Sequence, residues 1–184
     1  MPGISFPQGS EDIRDALIWT TENLKSQGNT DHIFIFGHSA GGLHVAGCLL
    51  TPSLFTPIAP AIRGVIIMGT PCRIVPERQE FYSVACDYYG GKKGVTSRQP
   101  IGLLQSAERS YISRLPPMMN MRAASEPRPI SSSIRAFTTD FANKGGNIQE
   151  YVLEGHDHLS PILSLSTGYG EEWGDKVIEW IKSH

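Results

Sequence analysis

Short hydrophobic runs recur along the chain, and each ends at or near turn-forming or polar residues. Such runs, rich in β-branched, aromatic or methionine side chains, favour strands that are buried on both faces of a sheet. Four of them occur in the sequence: Ile33–Phe36, Ile62–Met68, Met118–Met121 and Gln149–Leu153. The segments between them are long enough for crossover connections, so we expect a mostly parallel sheet.

Helical periodicity marks several of the remaining segments. Ile13, Ala16 and Leu17 repeat at helical spacing. Ser10 is the predicted N-cap of this helix, and Gly28 is the residue predicted to close it. Three further helical segments are predicted at Leu43–Leu50, Ile130–Phe141 and Trp173–Ile181. Helices alternating with strands predict an α/β fold with helices on both faces of the sheet.

The segment 72–114 has no clear periodicity. It contains several tyrosines, a glycine-rich turn at 90–94 and a short apolar patch at Ile101–Leu104. Two interpretations stay open. The preferred one is packing helices joined by loops, and the other is a cap-like segment that covers the mouth of a site.

Size and charge narrow the class of protein. With 184 residues, 40% of them hydrophobic, the chain can bury one core and is expected to form a single domain, 1–184. The net charge is -2 and the 16 Lys and Arg residues are scattered, which argues against a nucleic-acid partner or a polybasic membrane surface. No leader-like segment or membrane-length apolar run is visible, so we expect a soluble, cytoplasmic protein.

The three cysteines are Cys48, Cys72 and Cys86. Their number is odd and their spacing fits no metal site, so they are expected to be reduced and mostly packed thiols. This expectation favours a reducing compartment.

A strand-to-helix turn carries the first candidate for chemistry. The run Ile33–Phe36 leads into Gly37-His38-Ser39-Ala40-Gly41, which is the pattern G-x-S-x-G. On such a turn a serine is held clear of the sheet, and glycines on either side are expected to let strand and helix approach closely. Ser39 is therefore the predicted nucleophile, and the backbone N–H of Ala40, at the start of the helix, is the predicted oxyanion donor.

An acid should follow a later strand, and two residues compete for this role. If Ile130–Phe137 were a strand, the acid would be Asp140; if Met118–Met121 is the strand, the acid is Glu126. The apolar residues from Ile130 onward repeat at helical spacing, and too few residues separate Asp140 from the next strand for a parallel crossover. Glu126 is the preferred acid.

The last predicted strand leads into His156-Asp157-His158, so either histidine could be the base. A metal site built on this His-x-His pair is disfavoured, because two ligands cannot close a site and no matching cluster occurs elsewhere. No metal or cofactor is expected. A histidine here completes the chain order serine, acid, histidine, which is the order found in α/β-hydrolase triads.

Several segments together resemble proteins of the α/β-hydrolase fold, and most of all the esterase branch that contains kynurenine formamidase and related carboxylesterases. The segments are GHSAGG at 37–42, LPPMMNMRAASEP at 115–127, DFANKGGNIQEYVLEG at 140–155 and GHDHLSP at 155–161. The resemblance spans nearly all of the chain from Phe6 onward. It implies that His158 is the base, that Glu126, before Pro127, is the acid, and that the substrate is a small or medium ester or aryl formamide.

The chain also departs from this branch. Its members carry additional strands and a His-Gly-Gly motif before the nucleophile, and the motif supplies a second oxyanion donor; the sequence contains no such motif. We therefore expect an N-terminally truncated α/β-hydrolase-type sheet of four core strands, with the Ile33 strand as an open edge through which the chain could self-associate.

Three accounts of this departure stay open: an incomplete product of a longer gene, reliance on a partner that covers the edge, or a remnant without activity. Two alternatives to an ester hydrolase follow. One is an impaired or inactive remnant that acts in binding, and the other is an acyltransferase that uses the same three residues.

Overall fold

The computed structural model describes residues 3–77 and 79–184. Helices and strands alternate along the first part of the chain, four helices follow the second strand, and the alternation then resumes. In chain order they are α1 (Gln8–Asn23), β1 (Ile33–His38), α2 (Ala40–Leu49), α3 (Pro52–Phe55), a 3-10 turn (Ala59–Ala61), β2 (Ile62–Met68), α4 (Gln79–Tyr89), α5 (Lys92–Arg98), α6 (Pro100–Ser106), α7 (Arg109–Ile112), β3 (Met118–Ala123), α8 (Arg128–Asn143), β4 (Ile148–Leu153), α9 (Ser160–Ser164) and α10 (Trp173–Ser183).

The described strands form one parallel sheet in the order β1-β2-β3-β4. Its register pairs Ile35 with Val65, and Met121 with Tyr151. All four predicted strands are confirmed, with bounds that differ by a few residues. Because the strands are parallel, their carboxyl ends meet at one edge of the sheet, so loops that follow different strands can build a common site there.

Helices cover both faces of the sheet. On one face, Val65 and Ile67 pack in a cluster with buried residues of α2, α6 and α8, including the fully buried Phe137 and Phe141. On the other face, the alternate residues of β2 and β3 pack against Trp173 and Trp180 of α10. Alternation of side chains along each strand therefore supplies two hydrophobic layers from the same strands.

The predicted ends of the first helix are wrong. α1 begins at Gln8 with Pro7 as its N-cap, and the N–H of Ser10 already donates to the carbonyl of Pro7 at 2.7 Å. Ser10 is buried inside the first turn, against Gly47 of α2. The helix ends at Asn23, and Gly28 lies in the turn that follows, where its N–H donates to the carbonyl of Leu24 at 3.1 Å.

Segment 72–114 folds into the helices α4 to α7. Ile101, Leu104 and Ile112 are buried in the cluster that covers the sheet, so the later half of this segment packs as ordinary core helices. In α4 and α5, Ala85, Tyr89 and Val95 form a separate small cluster. A cap-like role for the earlier half stays a prediction.

The cysteines in this fold are unpaired thiols, as predicted. Cys48 and Cys72 are buried, and burial raises the pKa of Cys48 to about 11. Within residues 3–77 and 79–184, no helix is both long and apolar enough to cross a lipid bilayer.

β1 lies at the edge of the described sheet, with β2 as its single neighbour there. Its residues are mostly half-exposed, whereas nearly every residue of β2 is buried. Phe36 stacks on Trp173 and still keeps 40% of its surface exposed. The open edge predicted for the Ile33 strand is therefore present in the part of the chain described.

Candidate active site

The turn between β1 and α2 holds Ser39 in a backbone conformation that is rare outside glycine, with φ 51° and ψ -119°. The serine N–H donates to the carbonyl of Met68 at 2.8 Å, which fixes the turn against the end of β2. Such a strained, over-determined conformation is found mainly at functional sites. Ser39 is partly exposed at the carboxyl edge of the sheet.

Glycine is needed at this turn, but one of the two positions differs from the prediction. A Cβ at Gly37 would lie 2.9 Å from the Cα of Gly42, so strand and helix approach here as expected. A Cβ at Gly41 would meet open space within 4 Å. The close contact belongs instead to Gly42, where a Cβ would collide with the hydroxyl of Thr70.

Three side chains from distant parts of the chain form a hydrogen-bonded row at this edge. Ser39 Oγ lies 2.9 Å from His158 Nε2, and His158 Nδ1 lies 2.6 Å from Glu126 Oε1. The three residues follow the carboxyl ends of β1, β4 and β3 respectively. Since a carboxylate only accepts hydrogen bonds, Nδ1 carries the proton and Nε2 is left to accept from the serine hydroxyl.

The carboxylate of Glu126 is almost fully enclosed, with its side chain 1% exposed. Its second oxygen, Oε2, accepts from the N–H of Ala123 at 3.3 Å. The loops that carry the acid and the histidine are also tied together, because the N–H of Ser125 donates to the carbonyl of His156 at 3.0 Å. Glu126 and the loop that carries His158 are therefore each held by a hydrogen bond in addition to the 2.6 Å bond between them.

Ala40 is the first residue of α2 and is exposed beside Ser39. The N–H groups in the first turn of a helix have no intrahelical acceptor. The helical bonding here begins further on, where the N–H of Leu43 donates to the carbonyl of Ser39 at 3.3 Å. A hydrogen-bond donor at the positive end of the helix dipole thus stands next to the serine hydroxyl.

Gly69, the residue directly after β2, lies next to the histidine. Its φ is +58°, and a Cβ there would lie 3.1 Å from His158 Nδ1 and 3.4 Å from Glu126 Oε2. The signal that could have identified Gly69 is its position. It directly follows β2, and the strands on either side of β2 lead to Ser39 and Glu126. Its missing side chain makes room for the short bond between His158 and Glu126.

The competing acid lies elsewhere. Residues from Ile130 onward belong to α8, so the alternative of a strand at Ile130–Phe137 is wrong. Asp140 lies within this helix, and its Oδ2 accepts from Gln105 Nε2 at 3.5 Å.

The other histidine of the pair also lies outside the row. Nδ1 of His156 is 3.0 Å from the hydroxyl of Ser160. Between the two histidines, Asp157 accepts from the N–H groups of Ser160 and Leu159 at 2.9 and 3.0 Å, and these bonds lower the pKa of its carboxyl group. Asp157 therefore shapes the turn on which His158 stands.

Two cavities lie beside residues other than Ser39, His158 and Glu126. Among the described residues, no three His, Cys, Asp or Glu side chains are grouped so that they could bind a metal ion. A cavity of about 570 Å³ lies at the opposite, amino-terminal end of the sheet, beside His32, Ala61 and Arg63. A smaller one of about 200 Å³ lies beside β4 and Trp173.

Comparisons with known proteins support the fold. No protein-family model matches the chain, and no curated protein matches it. Solved structures do match. A fungal esterase from Rhizomucor miehei superposes with a TM-score of 0.70 at 17% identity, over 99% of this chain and 61% of that one. The chain has the α/β-hydrolase fold.

Two other similar structures agree. Esterase B from Lactobacillus rhamnosus gives a TM-score of 0.78 at 13% identity, over 100% of this chain and 62% of that one. A thermophilic carboxylesterase from a metagenomic library gives 0.77 at 17% identity, over 99% of this chain and 65% of that one. The chain thus spans less than two thirds of the length of these esterases.

Proposed function

We propose that this chain is a serine hydrolase that cleaves a small or medium carboxylic ester through an acyl-enzyme. The observation that carries the proposal is the row Ser39–His158–Glu126 at a strained strand-to-helix turn, with bonds of 2.9 and 2.6 Å. A nucleophile in contact with a base that is itself oriented by a third group is the arrangement required for acyl transfer. The structural likeness to esterases supports the same class.

In the first half of the reaction, Ser39 Oγ attacks the ester carbonyl carbon as its proton moves to His158 Nε2. Glu126 holds the ring by Nδ1–H and stabilises the imidazolium that forms. The oxygen that becomes negative accepts from the N–H of Ala40. When the intermediate collapses, His158 gives its proton to the leaving alcohol, and the acyl group stays on the serine.

The second half repeats these steps with water. His158 takes a proton from water as the oxygen attacks the acyl carbon, and it then returns that proton to Ser39 Oγ as the acid leaves. The residues Ser39, His158 and Glu126 end in their starting protonation states. No metal or cofactor is used in this sequence of steps.

The rate should be modest. Ala40 supplies one oxyanion donor, and the sequence lacks the His-Gly-Gly motif that supplies a second one in the proteins it resembles. Removing one such donor typically costs about a hundred- to a thousandfold in kcat. Activated esters with good leaving groups are therefore the substrates on which turnover should first be detected.

The finer assignment, hydrolysis of an aryl formamide, rests on the sequence alone. Gly155-His156-Asp157-His158 and Glu126-Pro127 match the pattern of the kynurenine formamidase branch. The same acyl-enzyme would serve an acyltransferase if an alcohol or amine replaced water. Product analysis after incubation with an acyl donor and a candidate acceptor separates these two reactions.

Hydrolysis of nitrophenyl acetate and butyrate by the purified protein tests the proposal. Ser39→Ala should reduce turnover to the background rate, whereas Ser53→Ala, at an exposed serine of α3, should leave it unchanged. A remnant that acts only in binding predicts no turnover by the unaltered chain and no effect of Ser39→Ala. That result would refute the proposed hydrolase.

A further inference from the structure

A second histidine contacts the histidine of the row. His38 is the last residue of β1, immediately before Ser39, and its Nε2 lies 2.9 Å from the backbone carbonyl oxygen of His158. The two imidazole rings are 5.1 Å apart between centroids, at an interplanar angle of 36°. The side chain of His38 is neither exposed nor fully buried.

The direction of this bond is fixed by chemistry. A carbonyl oxygen can only accept, so His38 donates through Nε2–H. The protonated ring and the Nε2–H tautomer of the neutral ring both carry this donor, so the bond does not depend on the charge of the ring. His38 therefore acts here as a hydrogen-bond donor whatever its protonation state.

The bond joins β1 to the turn at 156–160 without involving the reacting groups. The turn at 156–160 is shaped from within by Asp157 and is tied to the loop after β3 by Ser125. Within the described part of the chain, the hydrogen bonds from this turn to β1 and the adjoining residue are those made by His38 and Ser39. Of these two hydrogen bonds, only the one made by His38 involves no group that reacts.

We propose that His38 is a positioning residue for the reaction, acting through His158. It anchors the backbone of the base to the strand that ends at the nucleophile, and so maintains the 2.9 Å separation of Ser39 Oγ and His158 Nε2. The inference rests on the proposed hydrolase function. A misplacement of about 1 Å between reacting groups can cost about a hundredfold in rate, so one anchoring bond is enough to matter.

Two variants distinguish a role of His38 as a hydrogen-bond donor from a role in which its ring only fills space. His38→Leu removes the N–H, whereas His38→Gln carries an amide N–H at nearly the same distance from the backbone. His32→Leu is the matched control, because His32 is an exposed histidine just before the opposite end of β1. Thermal melts followed by circular dichroism establish that each variant is folded, and His38→Asn, whose amide is too short, replaces the leucine variant if that one does not fold.

The rate of modification by a fluorophosphonate probe is measured with kcat and KM for a nitrophenyl ester. His38→Leu should lower kcat and the modification rate about ten- to a hundredfold with KM unchanged, and His38→Gln should recover most of the loss. The inference is overturned if leucine has no effect or if glutamine is as impaired as leucine. An unaltered chain that neither reacts with the probe nor turns over ester would refute the hydrolase function itself, and the positioning role with it.

Discussion

Replacing Glu126 by glutamine tests how the acid orients the base. In the structure, Oε1 accepts from His158 Nδ1 at 2.6 Å and Oε2 accepts from the N–H of Ala123 at 3.3 Å. Both oxygens of a carboxylate are acceptors, but a glutamine offers one acceptor and one donor. Glu126→Gln keeps the volume of a side chain that is 1% exposed, and it cannot satisfy both N–H groups.

Either orientation of the amide weakens the reaction. If its NH2 group faces His158, the ring must accept at Nδ1 and carry its proton on Nε2, where it can no longer take the proton of Ser39. If its oxygen faces His158, the amide NH2 opposes the N–H of Ala123, and no negative charge stabilises the imidazolium. A wrong tautomer costs about 10⁴ in kcat in serine proteases, so we expect a fall of about 10³ to 10⁴.

Stability should change much less than activity. An unpaired buried donor costs about 1–3 kcal/mol, and for a chain of this size each kcal/mol lowers the melting temperature by about 2–4 °C. Glu126→Gln should therefore remain folded at room temperature. Loss of activity by a folded variant then reports on catalysis.

The assay combines kcat/KM for a nitrophenyl ester with a thermal melt. Asp140→Asn is the matched control, because it alters a carboxylate in α8 that contacts Gln105 and lies outside the row. It should retain full activity. A Glu126→Gln variant within tenfold of the unaltered chain, or an equal loss in Asp140→Asn, would refute the assigned role of the acid.

Two other predictions concern the packing of the site and the sheet edge. Gly69→Ala should slow modification by a fluorophosphonate probe by about ten- to a hundredfold, because its Cβ would press on the histidine at 3.1 Å. Gly41→Ala, with open space around its Cβ, should react as fast as the unaltered chain. Equal rates in both glycine variants would contradict this prediction. We also propose that the open edge of β1 lets the chain self-associate, so light scattering at micromolar concentration should detect oligomers that Phe36→Lys reduces. A monodisperse monomer without the substitution would contradict that proposal.

The positions of the strands and of Glu126 could be predicted because their signals are local. Each strand is a short apolar run, and the helical spacing from Ile130 onward together with the short interval after Asp140 favoured Glu126, which the structure places in the row. Helical periodicity and the length needed for a parallel crossover together thus favour Glu126 over Asp140.

Contacts between distant segments could not be predicted in this way. Gly69 lies next to His158 and His38 donates a hydrogen bond to it, yet His158 follows the last strand, and no periodicity predicts that these residues lie together. The prediction that Ser10 is the N-cap is wrong for a related reason. Serine is a strong local capping residue, but its burial against Gly47 places it inside the helix.

The mass of the intact protein after treatment with a fluorophosphonate tests the proposed nucleophile most directly. We expect one adduct per chain, mapped by peptide sequencing to Ser39, with none on Ser39→Ala and normal modification of Ser53→Ala. An unmodified chain, or an adduct that persists when Ser39 is replaced, would contradict the assignment of Ser39 as the nucleophile of a serine hydrolase.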